Sequence, residues 1–349
     1  MIKKIVSFFI IFSLLLLEVS ALDAEDLSAE SAVVISKQTG EVLFRKNAHE
    51  KRSMASTTKI MTSLLAIESG MLHNEITVKA DMVKVEGTSM GLLDGDKVSL
   101  DELVHGMLLQ SGNDAANVTA FYLGGNLSSF AEIMNDRARK IGMNDTNFVT
   151  PSGLDSENHY STAYDMALLG REAVSNSKFL SVCSKQKETL TYGNPPYRRM
   201  LYNHNKLLEY YDYALGIKTG FTRKSGRCLV SYAEKDGVGL VAVTLSAPDD
   251  WNDHKLLLDF GFENIRSVTV TPDIPDCITV VGGDKTYVGI STDSFVFSYA
   301  EEKTLTYEVY LKRFIYEPVT SGSAVGFWRL FADGVMIEEL PIVTTESLN

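Results

Sequence analysis

The chain has 349 residues, enough to bury a sizeable core and to divide into two domains. A hydrophobic content of 45% and a charged content of 22% are those of an ordinary globular protein. A formal charge of −12 argues against nucleic acid as a partner and against adhesion to anionic lipid through the folded surface, since both need basic patches.

Lys3 and Lys4 precede an apolar run from Ile5 to Leu17, too short to span a bilayer comfortably. Small residues follow in Val19-Ser20-Ala21 and Ala21-Leu22-Asp23-Ala24. The pattern predicts a secretory signal over 1–24, with an uncleaved anchor as the alternative. Membrane contact is expected only through that segment, and the mature chain is expected outside the cytoplasmic membrane. Ser31 to Ser36 and Glu41 to Arg45 read as strands joined at Gln38-Thr39-Gly40. From Ser56 to Glu68, Ile60, Leu64 and Ile67 recur at helical spacing, and Gly70 ends the run. Leu100 to Leu109 and Asp114 to Leu123 read as helices broken by Ser111-Gly112-Asn113. Pro151-Ser152-Gly153 is a turn, and Ser161 to Ala173 is a helix capped by Ser161 or Thr162. After Lys218-Thr219-Gly220 come strands at Arg227 to Ala233 and Val238 to Ser246, then a last helix at His254 to Phe260, closed by Gly261.

Helices between an early hairpin and late consecutive strands fit a largely antiparallel sheet covered by helices. Composition shifts near Ile265. Beyond it, short β runs at Cys277 to Val281, Lys285 to Ile290, Thr304 to Leu311 and Ala324 to Phe331 predict a small all-β domain. The expected domains are 25–265 and 272–349, with the boundary in Thr271 to Pro275. Leu340 to Asn349 carries no amphipathic helix pattern, so a C-terminal anchor is not expected. Cys183, Cys228 and Cys277 are too far apart for a metal knuckle, though a single disulfide is compatible with them. The six histidines show no metal-ligand spacing, so no metal is expected.

Three short strings carry chemistry. Ser56 and Lys59, in Ser56-Thr57-Thr58-Lys59, lie at i and i+3 and share a helix face. A serine hydroxyl needs a base within hydrogen-bond reach, and lysine serves only when neutral, which takes burial or a second cation nearby. Lys218 is a candidate for that cation. Ser111 and Asn113 straddle a glycine. The hydroxyl suits a proton relay toward a leaving amine, and the amide suits binding a substrate carbonyl while holding Lys59. Lys218, Thr219 and Gly220 suit a strand edge that holds a carboxylate while a substrate backbone lies close, with the Phe221 N–H as an oxyanion donor beside that of Ser56. Alone, each string is weak, because S-x-x-K recurs at Ser175–Lys178 and Ser184–Lys187 and S-x-N at Ser156–Asn158 and Ser347–Asn349. Only the first S-x-x-K opens an apolar-periodic run, and K-T-G occurs once.

Taken in order, the strings resemble the serine-type D-alanyl-D-alanine carboxypeptidases, the low-molecular-mass penicillin-binding proteins that share a fold with β-lactamases. Gly87 to Met90, Leu108 to Ala116, Pro151 to Asp155, Ser161 to Met166 and Gly216 to Gly220 also resemble signatures of that family. The resemblance implies an α/β (α+β) fold, with a five-stranded antiparallel sheet between helical clusters and a small β-sandwich after it. It implies Ser56 as acylated nucleophile, Lys59 as base, Ser111 and Asn113 as the second catalytic pair, and Lys218 and Thr219 as carboxylate ligands. The implied partners are the peptidoglycan stem peptide and β-lactam antibiotics, with no cofactor. Some relatives carry an arginine where His204 stands here, and another where Asp249-Asp250-Trp251 stands; both departures remove positive charge near the expected carboxylate site. A β-lactamase is the alternative enzyme, disfavoured because no E-x-x-x-N-type partner for a deacylating water is found and because of the extra β domain. A wall-binding protein without chemistry is disfavoured by the three intact strings.

Overall fold

The computed structural model describes residues 2–8, 22–283 and 285–348. Two compact units result. Of the described residues, the larger holds 22–264, and the smaller holds those from Ile265 onward together with Ile2–Phe8. Most of the expected 1–24 leader lies outside the described residues; of the two parts described, 2–8 and 22–24, the first pairs antiparallel with Leu305–Leu311.

The larger unit is built on a five-stranded antiparallel sheet in the order Val42–Lys46, Ser31–Ser36, Val238–Leu245, Gly226–Lys235, Ala214–Thr222. The two strands Ser31–Ser36 and Val238–Leu245 are buried at every position, as strands covered on both faces must be. Their side chains alternate between two helical layers. The helices in chain order are α1 (Lys59–Glu68), α2 (Leu100–Leu108), α3 (Asn113–Gly124), α4 (Leu127–Ile141), α5 (Ala163–Val174), α6 (Ser177–Cys183), α7 (Leu207–Tyr210) and α8 (Asp250–Asn264). Gly170 of α5 rests against Val230, Val241 and Ile217, whereas Gly261 of α8 rests against Leu240 and Val34. Adjacent strand residues thus serve opposite layers. The expectation that Gly261 closes the last helix is corrected here: α8 continues to Asn264, and a Cβ at position 261 would stand 2.6 Å from a Leu240 methyl. That glycine sets a helix-to-sheet approach and is not a cap.

α1 is buried almost all round, so it runs through the core and not along its surface. Thr162 caps α5 by accepting the Asp165 N–H. In the smaller unit, Arg266–Val270 pairs with Phe295–Tyr299, so this unit takes up chain upstream of Thr271–Pro275. Its other strands form one sheet around Trp328, Tyr307, Leu330 and Ile342. The three cysteines are free; Cys183 and Cys228 are buried and Cys277 is exposed. No helix among the described residues is long and apolar enough to cross a membrane.

Candidate active site

Ser56 lies in a 3-10 turn, Ala55–Thr58, that feeds directly into α1. Ala55 enters it at φ +47°, a left-handed conformation that costs a non-glycine residue on the order of 1 kcal/mol or more and clusters at functional sites. One helical step later the Lys59 amine is wholly enclosed. Its Nζ lies 2.8 Å from Ser56 Oγ, 2.7 Å from Asn113 Oδ1 and 2.6 Å from the Ser152 carbonyl oxygen. Burial lowers its pKa well below the ordinary lysine value, the charge of Lys218 lowers it further, and Asp114 opposes both.

Ser111 and Asn113 come from the junction of α2 and α3. Ser111 holds φ +60°, and its carbonyl accepts the Thr88 hydroxyl at 2.6 Å. Asn113 is fixed at both ends, donating from Nδ2 to the Glu86 carbonyl at 2.6 Å while its Oδ1 faces Lys59. The next residue, Asp114, organises the facing loop. Its carboxylate accepts the Ser89 hydroxyl and the N–H groups of Met90, Gly91 and Leu92, all within 3.0 Å. Charge-assisted bonds of this kind each contribute about 1.5–3 kcal/mol. The Gly87 to Met90 segment is thereby folded around Asn113 and Asp114.

The turn at Pro151 to Gly153 closes the site from below. Besides the Ser152 carbonyl at Lys59, the Pro151 carbonyl accepts the Thr62 hydroxyl at 2.6 Å. Gly153 has φ +84°, and a Cβ there would stand 1.9 Å from the Ala55 carbonyl oxygen. A Gly153→Ala variant should therefore lose roughly 3 kcal/mol or more of stability and lower the reactivity of Ser56. Thermal denaturation beside a labelling time course checks this; an unchanged melting temperature would show that the turn relaxes without consequence. His159 stabilises the same region. Its Nδ1 accepts the Val149 N–H at 2.9 Å, so Nε2 carries the proton and donates to Thr58 Oγ1 at 3.0 Å. Burial pushes its pKa down to about 4, which keeps it neutral in that role.

Lys218, Thr219 and Gly220 lie on Ala214–Thr222, the edge strand of the sheet. Lys218 is buried, with its Nζ donating to the Thr219 carbonyl at 2.9 Å, and burial pulls its pKa down to about 7. A Cβ at Gly220 would come within 3.0 Å of the Ser56 backbone nitrogen, so strand and nucleophile turn pass at the distance only glycine permits. Ser56, Ser111, Thr219, Gly220, Phe221 and His204 line one cleft of about 510 Å³. Six of the nine sequence-derived residues line this cleft, while Lys59 and Asn113 are joined to Ser56 from behind its wall and the charge of Lys218 reaches Lys59 from the same side. His204 has its pKa lowered by partial desolvation and by Lys218.

Arg227 was not expected in the cleft. It lies opposite Phe221 on the neighbouring strand, and its guanidinium reaches the cleft wall. There it pairs with Asp250 through Nε at 2.9 Å and Nη2 at 2.5 Å and stands 5.3 Å from the centre of the Trp251 ring. Positive charge thus returns to the cleft from another strand, partly neutralised by Asp250.

The chain is similar to known proteins. The family described as D-alanyl-D-alanine carboxypeptidase matches residues 18–249, nearly all of the larger unit. The carboxypeptidase DacF of Bacillus subtilis is 30% identical over 92% of this chain and 86% of its own length. DacC of Escherichia coli is 32% identical over 93% and 86%. Among solved structures, penicillin binding protein 5 from Haemophilus influenzae superposes with a TM-score of 0.67 at 26% identity, covering 94% of this chain and 99% of that one.

Proposed function

This chain belongs to the D-alanyl-D-alanine carboxypeptidase family, and from that premise we propose that Ser56 is acylated during turnover with Lys59 as its base. The protein is a serine-type hydrolase that removes the terminal D-alanine of peptidoglycan stem pentapeptides through an acyl-enzyme, and penicillin acylates it.

The observation that carries the assignment is the three-oxygen environment of the Lys59 amine. An ammonium donates three bonds and accepts none. Two of the neighbours, the Asn113 amide oxygen and the Ser152 carbonyl, can only accept. When the amine is neutral these two keep its N–H groups, and the lone pair falls on the Ser56 hydroxyl. Burial and Lys218 both favour that neutral form. Ser56 Oγ then attacks the penultimate carbonyl as its proton passes to Lys59. The oxyanion is held by the N–H groups of Ser56 and Phe221, at the close pass marked by Gly220. The C–N bond breaks, and the leaving amine takes a proton relayed through Ser111. Water completes hydrolysis of the ester. Thr219 binds the terminal carboxylate in the cleft, the buried Lys218 ammonium attracts it from behind the wall, and His204 lines the same cleft. Intact-mass detection of a penicillin adduct, mapped to a peptide, tests the nucleophile; an adduct on any other residue would overturn the assignment. The 1–24 segment, read as a leader, supports action outside the cytoplasmic membrane on the stem peptide and on β-lactams.

Lys218 yields a prediction with a definite sign. Its folded pKa of about 7 is depressed, so the native state sheds a proton that the unfolded chain keeps up to about pH 10. Stability should rise with pH across that window, and a Lys218→Met variant should lose much of the slope. Binding runs the other way. Loss of the ammonium above about pH 7 should raise KM for peptides with a free C-terminus but not for amidated ones. Equal wild-type activity on both termini would contradict the carboxylate role.

A further inference from the structure

Beside the cleft lies a second groove, of about 700 Å³, which shares Phe221 and Arg227 with it. Its lining is strongly basic for a chain of net charge −12: Lys51, Arg52, Arg223, Lys224 and Arg227 face it, against Glu30 alone among the acids. The charges are not equally available. Arg52 is paired with Glu30 and Glu50, Arg227 with Asp250, and Lys51 with Asp145 at 3.3 Å. Arg223 and Lys224 are exposed and form no ion pair or hydrogen bond through their side chains among the described residues.

These two cations sit on a turn that is held firmly. The hairpin pairs Thr222 with Gly226 across Arg223, Lys224 and Ser225. Within it, Thr222 N–H donates to Ser225 Oγ and Ser225 N–H to Thr222 Oγ1, both at 3.0 Å, and Thr222 Oγ1 donates to Asp155 Oδ1 at 3.0 Å. Unpaired charge on a fixed turn beside a concave wall focuses potential for an anion.

We propose that this groove is a subsite for carboxylate on the acyl side of the stem peptide, with Arg223 and Lys224 as its ligands. The inference rests on the assignments above, which set the direction of the bound peptide. With the terminal carboxylate at Thr219 and the scissile carbonyl at the Phe221 N–H, the peptide continues past Thr222 toward the turn. Extended chains advance about 3.3 Å per residue, so the four steps from Thr219 on the strand to Arg223 at the start of the turn span at most about 13 Å. Three to four residues of peptide cover a similar length and bring the α-carboxylate of the γ-linked glutamate to the groove.

The test uses two pentapeptides, L-Ala-γ-D-Glu-L-Lys-D-Ala-D-Ala and the same peptide with the glutamate α-carboxylate amidated, on wild type and on Arg223→Ser/Lys224→Ser. Wild type should favour the acid over the amide by about tenfold in kcat/KM, less at high salt, while the double variant treats the two alike. The same ratio should appear when the peptides compete with fluorescent penicillin for acylation, a readout that does not need turnover. Absence of a preference in wild type, or its survival in the variant, overturns the subsite, including the case where the groove instead binds a phosphate-bearing polymer. Failure of wild type to release D-alanine from either peptide would strike the carboxypeptidase assignment alone, because competition still decides the subsite.

Discussion

A Ser56→Ala variant should form no penicillin adduct and release D-alanine more slowly than wild type by about four orders of magnitude or more. The size follows from the covalent route: without Oγ there is no acyl-enzyme, and only binding and oxyanion stabilisation remain. The fold should be spared. Ser56 is half-buried, and the one side-chain bond lost, to Lys59, leaves that amine two other oxygen partners. A melting temperature within about 2 °C of wild type, beside intact mass after penicillin exposure, separates loss of chemistry from loss of structure. An adduct persisting on the variant would move the nucleophile elsewhere.

Lys59→Met should cost about a thousandfold or more in acylation. Methionine fills similar space but supplies neither the lone pair for Ser56 nor the two N–H groups that satisfy Asn113 Oδ1 and the Ser152 carbonyl. Some loss of stability is expected, since acceptors left buried without donors cost about 1–3 kcal/mol each. The pH profile separates the base from a merely structural lysine. In wild type the acylation rate should climb with pH as the depressed Lys59 amine loses its proton. In the variant that rising limb should vanish, while a rate that falls uniformly with an unchanged profile would point to packing alone.

Much of the site was legible from residue types and order. Ser56 and Lys59 meet as their i, i+3 spacing requires, although Ser56 belongs to a 3-10 turn and the helix itself begins at Lys59. Asn113 holds Lys59 as its amide suggested. What escaped was carried by backbone groups and by register. The Ser152 carbonyl has no side-chain signature. Asp114, noted only as a helix start and within the Leu108 to Ala116 signature, binds through its carboxylate three amides of a loop more than twenty residues earlier. Arg227 enters the cleft only because Gly226–Lys235 pairs with the edge strand in one register, setting it opposite Phe221. In the fold, α4 was legible too: its Asn126 cap, its Gly142 terminus and the apolar stripe Leu127, Phe130, Ala131, Met134, Ala138 and Ile141 mark a helix that the sequence reading above does not contain.

The margin formed by Ala214–Thr222 has a wider consequence. A border of unsatisfied amide and carbonyl groups invites any extended chain, including a neighbouring copy of the same molecule. Here the invitation is narrowed by the Ala55–Thr58 turn packed against Gly220 and by the polar turn that follows Thr222. Threading additional valine or isoleucine after Thr222 would lengthen the rail and is expected to trade solubility for stickiness, so the capture of a peptide guest and freedom from self-association are bounded by the same few residues.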